Sequence, residues 1–310
     1  MLAALFAFGG PGKVAHSAWQ AFDAPPAIVR DDLNKRLLSF SGSWRTELWR
    51  VAVEDAARHP IAGSGGGTYQ RSWLEERRIG SQVINAHSIY LETLAETGAI
   101  GLILLVGLLA LPLVAAIRAR RRSLVPAAAA AYTAFLAHAA VDWDWQITGV
   151  TLAALLCGVA ALAAARTERA SVTVRTWQRS LLVAVVLAVS AAAGVGLVGN
   201  RAARASQQAT GQQRFAVAER EARKAITWMP WATTGLKALG DAQYTQGKLE
   251  EARGSYGKAI GKDPGDWQLW LDLALVSSGA ERTAAADHAR QLNPLSPEIS
   301  EIATTLGLVP

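Results

Sequence analysis

The sequence predicts an all-α, polytopic membrane protein that carries a helical domain at its carboxyl end. Three observations lead to this fold class. Four long apolar blocks interrupt an otherwise polar chain, arginines are concentrated in two of the loops between these blocks, and the carboxyl-terminal part repeats with a helical period. The mean hydropathy of +0.18 agrees with this mixture, because a membrane bundle alone would be more apolar and a single soluble domain more polar.

The apolar blocks have the length of spanning helices. They cover residues 99–117, 124–141, 147–165 and 181–199. As a helix each block would be about 28 Å long, close to the thickness of the hydrocarbon core. We therefore predict four spanning helices in a transmembrane region at 99–199. The apolar start, 1–10, lacks the basic region and cleavage site of a signal peptide, and we interpret it as the remnant of another spanning helix.

Positive charge is concentrated in two short loops between the blocks. Residues 118–123 carry four net positive charges and residues 166–180 carry three, in a chain whose net charge is +6. Short loops rich in arginine stay in the cytoplasm. We therefore predict that the polar loop 11–98 and the carboxyl-terminal domain both lie outside the cytoplasm. This charge distribution also argues against a nucleic-acid partner, which would need a basic face on one folded domain.

The carboxyl-terminal segment 212–310 contains an internal repeat. Ala225-Ile226 recurs as Ala259-Ile260, and Pro230 recurs as Pro264, in each case after 34 residues. This is the period of the tetratricopeptide repeat, which the segment resembles.

One complete repeat unit is predicted at 231–264. A lone helix at 212–227 would precede it and a shortened helix pair at 266–292 would follow, while the connector 200–211 would continue the last spanning helix. Such stacked helix pairs bind proteins or act as structural spacers. Both interpretations are open, and the first implies a protein partner.

The sequence lacks the short motifs of several enzyme classes. It has no G-x-x-x-x-G-K, no H-E-x-x-H, no C-x-x-C and no G-x-S-x-G, which disfavours a P-loop, a zinc protease and a serine hydrolase. The five histidines show no metal-ligand spacing, so we predict no metal and no cofactor. Cys157 is the single cysteine, which excludes a disulfide within one chain.

The polar segment before the first block is predicted to form two helices. Residues 43–58 have an apolar face at helical spacing, and His59-Pro60 ends this helix. The glycine-rich segment 63–69 follows. We interpret it as a sharp turn, with a phosphate cradle as the alternative. A second helix is predicted to begin with Asn85 as its N-cap and to run into the first apolar block.

Four motifs in this segment are similar to those of a known family. They are Ser43-Trp44-Arg45 with Leu48-Trp49, then Pro60 to Gly65, Asn85 to Glu92, and Glu96 to Gly101. Over residues 40–165 their order and spacing resemble the C-terminal conserved block of the O-antigen ligase and polymerase family, where they occupy a large periplasmic loop. Ser88 stands where the family usually has Asn, and a tetratricopeptide extension also occurs in relatives.

The resemblance implies a multi-pass glycosyltransferase of the bacterial cytoplasmic (inner) membrane. It would ligate or polymerise glycan from an undecaprenyl-diphosphate-linked donor onto an acceptor glycan, lipid or protein at the outer face, among membrane lipids and without a metal. Arg45 would stabilise the departing diphosphate, because a guanidinium binds phosphate oxygens in a bidentate manner. His87 would deprotonate or orient the acceptor hydroxyl.

The residues by themselves also allow structural interpretations. A surface ion pair with Glu47 or Glu54 would account for Arg45, and a bond to backbone at the start of a helix would account for His87. For the whole chain, the alternative function is a non-catalytic membrane scaffold that presents the repeat domain for protein binding.

Four further residues are candidates for substrate binding. Arg71 and Tyr90 lie in the polar segment, where Arg71 could also belong to a solvated charged face. His138 and Asp142 are four residues apart near the outer end of the second block, and ionisable groups at membrane depth are often functional.

Members of this family have several more spanning helices ahead of the conserved loop, so the resemblance implies a truncated, C-terminal portion. We expect the purified chain to transfer no glycan from a lipid-linked donor unless those helices are supplied by a longer chain or a partner. Transfer measured with the isolated chain in vesicles would contradict this expectation.

Overall fold

The computed structural model describes residues 11–23, 42–166 and 175–305. Helices account for the regular secondary structure of these ranges, which confirms the all-α fold class. The chain divides into two compact units, Met1–Ala170 and Ser171–Pro310. The apolar start at 1–10, interpreted as a helix remnant, lies outside the described residues.

The first unit contains six helices in its described ranges. They are α1 (Pro11–Asp23), α2 (Arg45–Arg58), α3 (Tyr69–Glu76), α4 (Ile89–Arg118), α5 (Val125–His138) and α6 (Thr148–Ala165). A single 3-10 turn, Asp144–Gln146, lies between α5 and α6. Helix α2 corresponds to the helix predicted at 43–58, and the buried residues of α2 follow the predicted apolar face.

Helices α2 and α3 pack together ahead of the membrane region. Tyr69 and Trp73 of α3 are fully buried, and the Tyr69 hydroxyl donates to the carbonyl of Leu48 on α2 at 2.9 Å. Arg50 of α2 donates to the carbonyl of Glu76 at the end of α3, also through a short bond of 2.8 Å. The polar segment therefore has a small core of its own, which we call the two-helix core.

Helix α4 is interrupted at Gly98. This residue has φ 66° and ψ −166°, a conformation that is essentially restricted to glycine. In an unbroken helix the amides of Ala99 and Ile100 would donate to the carbonyls of Ala95 and Glu96. The interruption leaves two donors and two acceptors of α4 without these helical partners.

The glycine-rich loop after α2 provides the missing partners. Ala99 N donates to Pro60 O at 2.9 Å, Ile100 N to Ile61 O at 3.3 Å, Ser64 N to Ala95 O at 2.9 Å, and Gly65 N to Glu96 O at 2.9 Å. Two helical hydrogen bonds are thus replaced by four bonds to the loop. Because the amides of Ser64 and Gly65 bind helix carbonyls, the loop is a turn joined to α4 and not a phosphate cradle.

Three described helices are long and apolar enough to cross a membrane, namely α4, α6 and a helix of the second unit, Thr176–Gly211. The predicted block at 124–141 instead forms α5, which has 14 residues and a length of about 21 Å. The structure therefore differs from the predicted four spans at this block. The arginine-rich loop before it and the turn after it shorten the helix at both ends.

Helix α5 nevertheless returns the chain from the arginine-rich loop to the two-helix core. At its start Val125 packs against Ala116 and Ala161. At its end the carbonyl of Ala139 accepts from the amide of Ile89, the first residue of α4, at 2.9 Å. The turn after α5 therefore lies beside the start of α4.

The second unit contains seven helices in its described range. They are α7 (Thr176–Gly211), α8 (Phe215–Trp228), α9 (Thr234–Thr245), α10 (Leu249–Ile260), α11 (Trp267–Val276), α12 (Gly279–Leu292) and α13 (Pro297–Thr305). Helices α9 and α10 lie within the predicted unit 231–264, and α11 and α12 within 266–292. That these pairs are tetratricopeptide repeats stays a prediction.

The structure differs from the sequence prediction in one respect at the start of this domain: the helix that was predicted to stand alone at 212–227 has a partner. The predicted connector 200–211 is the end of α7, and the predicted lone helix forms α8, which packs against it. Ala202 and Ala203 of α7 contact Ala225 of α8. The first helix pair therefore includes residues of α7 that follow its apolar segment.

We expect Gly98→Ala to destabilise the first unit by about 3 kcal/mol or more, because a Cβ would overlap the Ile61 carbonyl and the backbone conformation excludes other residues. Gly66→Ala is a matched control in the loop, since a Cβ there has nothing within 4 Å. Thermal unfolding of both variants in detergent checks this. Equal midpoints for the two variants would contradict the role of Gly98.

Candidate functional site

A guanidinium and a carboxylate meet between α2 and the turn after α5. Nη2 of Arg45, the first residue of α2, donates to Oδ2 of Asp142 at 2.7 Å. Its Nε donates to the carbonyl of Val141 at 2.6 Å, and its Nη1 to the carbonyl of Gly42 at 3.1 Å. The exposed fractions of the Arg45 and Asp142 side chains are 19% and 25%. The pair is thus partly buried and still reachable from outside.

The structural interpretation with a neighbouring glutamate does not apply to Arg45. Glu47 and Glu54 both bind Arg50, at 2.7 and 2.5 Å. Arg45 instead binds a carboxylate that lies 97 residues farther along the chain. Its partner is therefore set by the fold.

His87 lies in the loop just before α4 and is half-buried. Its Nδ1 is 3.4 Å from the carbonyl oxygen of Asn85. Burial lowers the pKa of the His87 ring below its usual value, while the Asn85 carbonyl raises it, the Arg45 charge lowers it and the Asp142 charge raises it. His87 therefore lies within the electrostatic reach of both members of the ion pair.

Three residues at this site have a left-handed backbone conformation without being glycine. Ser43 has φ 50°, Trp44 has φ 69° and His87 has φ 53°. Each such residue costs on the order of 1 kcal/mol and persists only where the surrounding contacts require it. Ser43 and Trp44 directly precede Arg45, and His87 is the candidate base. The backbone strain is therefore located at the two candidate groups.

Hydrogen bonds fix the loop that carries His87. Asn85 is buried, and its Nδ2 donates to Gln146 in the 3-10 turn at 3.2 Å. The carboxylate of Glu92 accepts from the amide of Ala86 at 2.9 Å. The loop is thus held from α4 on one side and from the turn after α5 on the other.

The sequence predicted Asn85 as the N-cap of α4, but the N-cap in the structure is Ser88. The Ser88 side chain accepts from the amide of Leu91 at 3.4 Å. Serine and asparagine are both good N-caps. Ser88 therefore begins the helix, while Asn85 contributes to the loop.

The four candidates for substrate binding are only partly brought together. Asp142 binds Arg45, whereas His138 binds Asp144 through Nδ1 and Oδ2 at 2.8 Å. The Tyr90 hydroxyl donates to the carbonyl of Leu136 on α5 at 3.2 Å, which ties α4 to α5. Arg71 is exposed on α3.

Comparison with known proteins relates the first part of the chain to a family. Residues 1–106 match the O-antigen ligase family. The match confirms the family that the motifs had suggested, for a segment of 106 residues in a chain of 310. No curated protein matched the chain.

The family match contains all four motifs that suggested it, and the structure gives each a physical role. The glycines at 63 and 98 allow the loop after α2 and α4 to approach closely enough to form backbone hydrogen bonds with each other. Arg45 and His87 lie within the match, whereas Asp142 and His138 lie beyond its end at residue 106.

No group of three or more histidine, cysteine, aspartate or glutamate side chains suited to a metal occurs among residues 11–23, 42–166 and 175–305. Two carboxylates in this region accept hydrogen bonds from protein groups. Asp142 accepts from Arg45, and Glu92 accepts from the backbone amide of Ala86.

Two contributions to the site were missed by sequence reasoning. Asp144 holds His138, and Gln146 holds Asn85. Both lie in the 3-10 turn after α5, in the D-W-D-W-Q run. The density of polar groups between tryptophans in so short a turn between apolar blocks was the available signal.

We expect the two charges to move the pKa of His87 in opposite directions. Asp142→Asn removes the charge that raises it and leaves Arg45, so the pKa should fall. Arg45→Gln removes the charge that lowers it and leaves Asp142, so the pKa should rise. NMR titration of histidine-labelled protein checks both, with His87→Gln to assign the signal. Unchanged values in both variants would show that the ring does not sense the pair.

Proposed function

We propose that the chain takes part in ligation or polymerisation of glycan at the membrane surface, with Arg45 and His87 as the groups that act on substrate. The donor in this proposal is a glycan on an undecaprenyl-diphosphate carrier, and the acceptor is a hydroxyl of another glycan, lipid or protein. The observation that carries the proposal is that the fold brings His87, just before α4, within the electrostatic reach of the partly exposed Arg45–Asp142 pair.

Arg45 suits the diphosphate of the donor. Among the described residues, three of its five N–H groups bind protein oxygens, which leaves two for phosphate oxygens. The ion pair holds the guanidinium in one orientation and lowers the cost of its partial burial. As the sugar–oxygen bond to the carrier breaks, the fixed cation stabilises the negative charge that develops on the departing diphosphate.

His87 suits the acceptor hydroxyl. Its lowered pKa keeps the ring neutral at neutral pH, the form that accepts a proton. When Nδ1–H donates to the Asn85 carbonyl, the lone pair is on Nε2. The hydroxyl oxygen forms the new bond to the sugar carbon while its proton passes to Nε2, and the proton is later released to solvent or to the carrier phosphate.

The place of these groups along the chain suits an amphiphilic donor. His87 precedes α4, whose apolar part begins at Ala99 after the interruption at Gly98. A lipid-linked diphosphate has its polar group at the same level, at the surface of the bilayer. In our proposal this surface is the outer face of a bacterial cytoplasmic membrane, as the arginine-rich loops predict.

We expect His87→Ala and Arg45→Ala each to reduce glycan assembly at least about 100-fold at unchanged protein level, because each removes a group proposed to act in the transition state. Arg45→Lys should also lose most activity, since lysine retains the charge but not the bidentate geometry. The readout is surface glycan in cells that depend on this protein.

His59→Ala is the matched control for this experiment. His59 lies in the same polar segment but contacts Asp55 at 3.3 Å at the end of α2, and its replacement should leave glycan assembly intact. Normal glycan in both the His87 and Arg45 variants would instead favour the scaffold function.

A further inference from the structure

The apolar surface of α7 ends near Gly199. Its most apolar window of 18 residues is entirely unburied within the structure, and the polar residues Asn200 and Arg201 follow directly. The helix itself continues without interruption to Gly211. The boundary of the hydrocarbon core therefore lies at about the level of Gly199.

Helix α8 runs back along α7 toward this boundary. Ser206 of α7 donates to the carbonyl of Ala218 in α8 at 2.8 Å. Farther along α8, Ala225 packs against the more membrane-proximal Ala202 and Ala203. At the end of α8, Met229 fills the space that the missing side chain of Gly199 leaves open. The turn after α8 is thus held at the level where α7 leaves the hydrocarbon core.

This turn, residues 228–233, exposes two large aromatic rings, and we call it the tryptophan corner. The exposed fractions of Trp228 and Trp231 are 44% and 67%. The ammonium group of Lys262 donates to the carbonyl of Pro230 in the corner, and Arg201 is exposed on α7 two residues after Gly199. Tryptophan flanked by basic side chains is typical of the interface between lipid and water.

Helix α7 carries an aromatic anchor of its own at only one end. Trp177, with an exposed fraction of 59%, lies about 33 Å before Gly199 by helical rise. Residues 198–211 contain no aromatic side chain. The tryptophan corner is at the height where the second anchor of the span would be expected.

We propose that the tryptophan corner inserts into the headgroup region of the leaflet from which α7 emerges and fixes the helical domain against the membrane. The occupant of this surface is lipid, because the corner continues the apolar surface of a spanning helix at its boundary and carries cations that suit lipid phosphates. The remaining surface of the domain stays in water.

Depth-dependent quenching tests this in the full chain. In a Cys157→Ser background, Thr233→Cys and Thr245→Cys are labelled with a small fluorophore and reconstituted into phosphatidylethanolamine and phosphatidylglycerol vesicles. Thr233 lies in the corner and its replacement leaves both tryptophans in place, whereas Thr245 ends α9 near the layer of Ala242 and Ala209, about 15 Å farther from the membrane. Lipids with a quencher near the headgroup should quench the label at 233 about threefold or more over that at 245.

Equal and weak quenching at both positions would overturn the proposal and would indicate that a protein, or a second copy of the chain, covers the corner. Matching circular dichroism and unfolding midpoints of the two labelled proteins show that the domain is folded in each. The measurement does not depend on glycan transfer, so its outcome is separate from that of the proposed function.

Discussion

The first unit depends on one backbone arrangement, the interruption of α4 at Gly98. The interruption frees backbone N–H and C=O groups of α4, and leaving such groups unpaired in a buried region would cost free energy. The loop after α2 satisfies them with four hydrogen bonds, and this joins the two-helix core to the helix that enters the membrane. Because α2 is fixed in this way, Arg45 at its first position is also fixed relative to the start of α4.

A second constraint comes from the far side of the site. Helix α5 brings Asp142 back to Arg45, and the turn after it holds both Asn85 and His138. Burial lowers the pKa of the His87 ring, which also lies within the electrostatic reach of a cation and an anion whose effects on that pKa oppose each other. In the proposed function, a neutral histidine near a fixed guanidinium would suit transfer from a diphosphate carrier. The positive φ angles of His87 and of the two residues before Arg45 indicate that the fold holds this region against a local cost.

Much of the architecture follows from local patterns. The helical class, α2 and its buried face, and the helices of the carboxyl-terminal domain could be predicted because apolar spacing and turn residues act over a few positions. The block at 124–141 was harder, since its alanines are compatible with a helix of any length and its ends are set by the turns around it. The helix at 212–227 was predicted to stand alone, because the polar end of a spanning helix resembles a linker in sequence. In the structure it packs against α7.

The sequence by itself determined which residues are candidates for the chemistry, because Arg45 and His87 stand in motifs that resemble the O-antigen ligase family, whose match covers residues 1–106. The apolar blocks determined that the chain enters a membrane. Only the tertiary structure decided the partners. Asp142 is 97 residues from Arg45, and no local pattern distinguishes it from Glu47 as a partner. The same holds for the glycines at 63 and 98. Their spacing was visible in the sequence, but glycine is needed at these positions because two backbones approach closely there, and only the fold creates that approach.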